Sequence, residues 1–242
     1  MEEVSIYLFF INCAIILQGD DFMNKQASES LRLALLLAFV GGFLDAYSYT
    51  CRGQVFATMQ TGNMILLGIQ ILNGDMAKVV HYLLPISSFA LGIFCCEMIK
   101  HYFKKIHLLH WRQIIILLEI IFLCVTFYLD DDHITLANCT ISFLCAMQMN
   151  SFKKVNGYPY ISTMCTGNLR SVVESLSGYL FSKNKKFLHK AFHYFSVIVL
   201  FISGVMVSRY ITLKVGYHAV ITSVFVLMIV FLYMFKKPEL EE

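Results

Sequence analysis

Residues Val55–Asn63 read VFATMQTGN, and Tyr160–Asn168 read YISTMCTGN. Thr58, Met59, Thr61, Gly62 and Asn63 recur as Thr163, Met164, Thr166, Gly167 and Asn168, an offset of 105 residues. The same offset carries Asp45 onto Asn150, Tyr47 onto Phe152, and Ile114 onto Ala219, beside the start of the last apolar run. One TGN pair arises easily by chance in 242 residues; a pair that also aligns its flanking apolar runs does not. The chain therefore reads as two copies of one unit, residues 31–135 and 136–242, behind an N-terminal leader at 1–30.

What surrounds these copies is lipid. Apolar residues make up 58% of the chain and charged residues 14%, with a mean hydropathy of +0.67; an ordinary soluble domain is about 25% charged. A soluble fold of this length would be left with large exposed apolar patches. The composition excludes a disordered chain, a disulfide scaffold and a nucleic-acid-binding module. The eight cysteines form no C-x-x-C pair and mostly sit in apolar runs, as small core residues do. His189 and His193, and His107 and His110, have helical spacing but no acidic or thiol neighbour to complete a metal site.

Six apolar runs predict membrane spans: Leu31–Tyr49, Val79–Met98, Ile114–Leu129, Ile134–Met149, Ala191–Tyr210 and Val220–Phe235. Pro85 interrupts the second, where a kink is tolerable. A further run, Val4–Leu17, follows Glu2 and Glu3 rather than a basic stretch and makes a poor signal peptide. It reads equally as a seventh span, an interfacial segment or a misplaced start.

Each copy reads span, TGN segment, span, span. If the TGN segment crosses the membrane, the copies are parallel; if it returns to the face it left, they are inverted. Positive charge decides between these. With six spans and residues 18–30 inside, every one of the 19 Lys and Arg except Arg52, Lys78, Arg209 and Lys214 falls on the inner side. The acidic triplet Asp130–Asp132 then lies outside, and the loops at Lys104 and Lys185 inside. Eight spans would put the basic clusters at 100–112 and 183–190 on opposite sides. The positive-inside rule favours six spans, cytoplasmic termini and inverted repeats in a cell membrane. The expected fold is an all-α polytopic membrane protein whose two three-span repeats each carry a re-entrant strand plus half-helix.

Within the first TGN segment, Val55–Gln60 is β-prone, Thr61 is a good N-cap, and Gly62 to Leu72 suits a short helix ended by Asn73-Gly74. Two such half-helices entering from opposite faces would aim their N-termini at the midplane, where free N–H groups and a partial positive charge await a ligand. The expected substrate-binding residues are Thr61, Gly62, Asn63, Thr166, Gly167 and Asn168. Asp45, an ionisable residue inside a span, joins them with its counterpart Asn150. Arg170 and Glu174, four apart in the second half-helix, complete the set as a charged element or as a plain ion pair. Glu97 reads as interfacial, and Glu119 as either interfacial or interior.

GGFLDAYSY (Gly41–Tyr49), VFATMQTGN and GYPYISTMCTGNL (Gly157–Leu169) together resemble the YoaK-like family of bacterial integral membrane proteins, a domain of unknown function. The resemblance runs from about Leu31 to Lys237 and implies a bacterial membrane protein of about six spans, with no substrate attached. Inverted repeats with half-helices are also similar to uracil and sulfate-type permeases, as an analogy of fold alone. The expected function is a transporter or channel for a small solute, an anionic one included. The alternatives are a membrane enzyme using Asp45, Glu119 or Glu174 on a lipid-borne substrate, or an accessory membrane protein. No nucleophile–base pair, phosphate loop or metal motif supports an enzyme. The expected partners are the bilayer and a small solute, with self-association left open; no nucleic acid, cofactor or metal is implied.

Overall fold

A computed structural model describes residues 30–103, 110–155, 158–159 and 165–236. The leader with its Val4–Leu17 run, Lys104, and Tyr160–Met164 with the repeated Thr163 lie outside the described residues. The chain is helical: α1 Leu31–Cys51, α2 Gln60–Asn73, α3 Met76–Phe103, α4 Trp111–Thr126, α5 Ile134–Ser151, α6 Cys165–Ser182, α7 Lys185–Val215 and α8 Ile221–Lys236. Short 3₁₀ turns precede α5 and α8, and Lys154–Val155 pairs antiparallel with Tyr158–Pro159. All six apolar runs are helices, and α2 and α6 are the two TGN helices. Among the described residues, Leu31–Cys51, Met76–Phe103 and Lys185–Phe235 are long and apolar enough to cross a membrane. At 16 residues, α4 is about 24 Å long, a little short of a bilayer core.

Local chemistry sets the helix limits. The Ser30 hydroxyl accepts from Leu33 N, and Asn184 Oδ1 accepts from Lys186 N. His110 and Gln113 form a reciprocal capping box at the start of α4. At the end of α2, Gly74 takes φ +71°, the left-handed turn predicted from Asn73-Gly74. Pro85 stays within α3, one turn beyond His81, whose Nε2 lies 2.8 Å from Gly53 O.

α1 is apolar around its whole circumference and is buried almost throughout, so it forms the centre of the molecule. It packs most extensively on α7, and α3 packs on α5. α2 rests on α3 as α6 rests on α7; α4 meets α5 as α8 meets α1; α4 and α8 meet each other. Exchanging the two halves maps each of these contacts onto another of them; the smaller α3–α4 contact has no counterpart of that extent. Between helices in lipid there is no water to expel, so assembly depends on close packing at small residues. A Cβ on Gly42 would stand 2.1 Å from Phe201 O, and one on Gly204 would stand 2.1 Å from Phe39 O. At the α3–α5 crossing, a Cβ on Gly92 would lie 2.3 Å from Phe143 O. Backbones touch at both crossings.

Contacts gather the helix ends into two groups. In one, buried Arg52 follows α1 and donates to Leu129 O at 2.7 Å, to Asp130 O at 2.9 Å and to the Tyr47 hydroxyl at 2.9 Å. Tyr47 in turn donates to Tyr217 O, and Asn138 of α5 donates to Arg52 O. In the other, Arg112 at the start of α4 donates to Ser151 O at the end of α5 and lies over the Trp111 ring, as does Lys100. A buried arginine thus ties a helix start to a helix end in each group. The exposed loops at the first group hold Asp75 and Asp130, whose carboxyls lie below their usual range through hydrogen bonds from Lys78 and His133 respectively. These contributions to stability are complete at neutral pH and are lost as pH falls through the lowered values.

A candidate site at the TGN segments

The first TGN segment is held from both sides by side chains. Asn63 is fully buried; its carboxamide accepts from Phe56 N at 2.9 Å and donates to Phe56 O at 2.7 Å, as a paired strand would. It also donates to Gln60 Oε1, while Gln60 donates to Ala57 O at 3.0 Å. Residues 55–59 bend and form no ladder, which corrects the predicted strand over Val55–Gln60: the Asn63 amide replaces the second strand. The helix begins two residues early for the same reason. Its N-cap is Met59, and Thr61, predicted as the cap, lies inside α2 with its side chain exposed.

From the other side comes Asp45. Its buried carboxylate accepts from Thr58 N at 2.7 Å and, through the second oxygen, from the Thr58 hydroxyl. A carboxylate two residues before a helix complements the positive end of its dipole. Asp45 therefore already answers the N-terminus of α2. Sequence reasoning left Thr58 out of the site, although its recurrence as Thr163 was a signal for it. Gly62 is half-buried beneath Phe56, and a Cβ there would stand 2.7 Å from the Phe56 ring.

The second TGN helix differs. Asn168 is buried, Thr166 and Gly167 are exposed, and among the described residues a Cβ on Gly167 would meet nothing within 4 Å. Cys165, the first residue of α6, lies within electrostatic reach of Asp45. One carboxylate is thus bonded to the first TGN segment and within electrostatic reach of the start of the second. Asn150 is not part of this arrangement. It donates to Glu97 Oε1 at 2.7 Å near Lys153, toward the other end of the molecule from Asp45. Arg170 and Glu174 are exposed and paired at 2.7 Å, so their charges largely cancel. Their pairing matches the plainer of the two sequence readings.

A second interior carboxylate, Glu119 of α4, is fully buried; Gln148 of α5 donates to its two oxygens at 3.2 and 3.3 Å. Cys145 of α5 lies within electrostatic reach of both Glu119 and Asp45. The sequence offered no signal for the Gln148 partner, because the pairing depends on how α4 and α5 are rotated against each other.

Comparisons with known proteins agree with the resemblance carried by these motifs. The family model described as protein of unknown function (DUF1275) matches residues 33–233. The UPF0700 transmembrane protein YoaK of Bacillus subtilis (strain 168) is 28% identical over 161 residues, 64% of this chain and 70% of that protein. No solved structure matches. The matched span takes in both TGN segments and all six apolar helices, so the chain is a membrane protein that belongs to the DUF1275 family.

Proposed function

We propose that this protein is a transporter or channel for a small solute rather than an enzyme, with its site between the two TGN segments at mid-membrane. The observation that carries this reading is Asp45, bonded to Thr58 before α2 and within electrostatic reach of Cys165 at the start of α6. A polar junction of two broken segments, one from each half of a repeat, is the arrangement secondary transporters use for their substrates. The inverted, re-entrant topology belongs to the same proposal. In its support, the main packing contacts map onto one another when the halves are exchanged, and Asn138 near the start of α5 bonds Arg52 at the end of α1. The first helices of the two halves then run in opposite directions, as inversion requires.

The two helix ends contribute unequally to solute charge preference. Asp45 occupies the α2 end, and its counterpart Asn150 supplies no charge to α6. A neutral hydrogen-bond-accepting group, rather than an anion that Asp45 would repel, is therefore directed to the first turn of α6, at Thr166, Gly167 and Asn168. The test compares two leucine substitutions. Gly167→Leu fills open space, so it is expected to leave thermal stability unchanged while abolishing solute binding. Gly62→Leu strikes the Phe56 ring and is expected to lower stability by about 1–3 kcal/mol. Binding measured against a metabolite panel by thermal shift checks both. A Gly167→Leu protein that binds as the wild type does would overturn the α6 site.

A further inference from the structure

We propose that Glu119 takes up and releases a proton inside the membrane and that Gln148 positions it in both states. Its use in coupling rests on the transporter reading above; the proton site itself does not. The argument starts from which atoms have partners. Glu119 is fully buried, and its two oxygens accept from Gln148 Nε2 at 3.2 and 3.3 Å. Gln148 is itself 1% exposed, and its Oε1 has no hydrogen-bond partner among the described residues. A buried acceptor without a donor is costly, and it is the group a protonated neighbour would satisfy.

An amide suits this place because it carries a donor and an acceptor at the same reach. With Glu119 ionised, Gln148 presents Nε2 to the carboxylate. When a proton adds to a carboxylate oxygen, the new O–H needs an acceptor, and turning the amide end for end brings Oε1 to it. No other atom need move. The proton bonds to Glu119 and leaves by the reverse step.

The surroundings hold few competing charges. From α5, Cys145 lies within electrostatic reach of Glu119, and beyond it stands Asp45 of α1. α3 brings Cys96, which bonds Ser151 one turn from the Glu119 side of α5. α8 packs with the apolar side chains Val224, Leu227 and Val230. On α4 itself Arg112 lies seven residues earlier, about 10 Å along the axis, bonded to Ser151 O. The amide is the group in direct contact with the carboxylate.

Infrared difference spectra of the purified protein, recorded across a pH titration, test the assignment. The wild type is expected to show a protonated-carboxyl band that titrates, and Glu119→Gln, which keeps the shape, is expected to lose it. Asp45→Asn is expected to retain that band. Gln148→Met removes the donor that favours the ionised form, so the band is expected to persist to a pH roughly one unit higher. A wild type without a titrating band, or a band that survives Glu119→Gln, overturns the proton site. A band with these properties in a protein that moves no solute would leave the proton site standing and remove the transporter reading.

Discussion

A leucine at Gly42 is expected to prevent assembly of the folded protein. α1 and α7 cross with their backbones in contact, and the first atom of any side chain at Gly42 would meet Phe201 O at 2.1 Å. A flexible neighbour could yield, but a helix carbonyl in the middle of α7 yields only if the helices separate. Since α1 is the buried centre of the molecule, separation there also disturbs α8 and the Asp45 junction. Overpacking usually costs about 1–3 kcal/mol; a backbone collision at the main crossing lies above that range. Gly204→Leu repeats the collision from the opposite helix, against Phe39 O. Gly68→Leu, in open space on α2, is the control that keeps its stability. Monodisperse yield and thermal unfolding in detergent separate the three.

The second large effect concerns Asp45. Asp45→Ala leaves the Thr58 N–H and hydroxyl buried without their acceptor, a loss of about 3 kcal/mol or more across two bonds to a charged group. The segment from Val55 to Met59 then lacks one of its two anchors, although Asn63 still holds Phe56. Asp45→Asn keeps an oxygen for Thr58 N, and the Thr58 hydroxyl can turn to accept from the new amide. That variant is expected to fold with a loss below about 1 kcal/mol while altering the pH dependence of uptake or binding. Unfolding curves together with pH profiles of the two variants distinguish an anchor from a functional carboxylate. If Asp45→Ala is destabilised while Asp45→Asn keeps the wild-type pH profile, Asp45 is a structural residue alone.

The apolar helices were legible because length and apolarity are properties of single segments. Val79–Met98 needs no partner to be recognised as a helix that belongs in lipid. The short helix read from Gly62 to Leu72 was legible to within one residue at its end, where Gly74 stops it locally, and two residues at its start. The manner in which α2 begins was less accessible. Thr61 has the chemistry of a cap, yet Asn63 reaches back to Phe56 and fixes the chain before Thr61, so the helix is already under way there. That outcome turns on one side chain bonding backbone seven residues away, beyond propensity. The Asp45–Thr58 bond and the Glu119–Gln148 pair are tertiary. Sequence marks such ionisable groups as unusual in a span, and only the packing of the helices supplies their partners. Asn150 shows the converse: the repeat offset pairs it with Asp45, but α5 ends sooner than α1 and the amide turns to Glu97.

The central claim is that the two halves are inverted, with each TGN segment returning to the face it left. Single cysteines at Asn73, His101, Asp131 and Lys185, placed on a cysteine-free background, test it by labelling with a membrane-impermeant maleimide before and after permeabilisation. The account predicts that Asn73 and Asp131 label from outside intact cells, and that His101 and Lys185 label only once the membrane is opened. Labelling of His101 and Lys185 from opposite sides would contradict it, because the TGN segments would then cross the membrane.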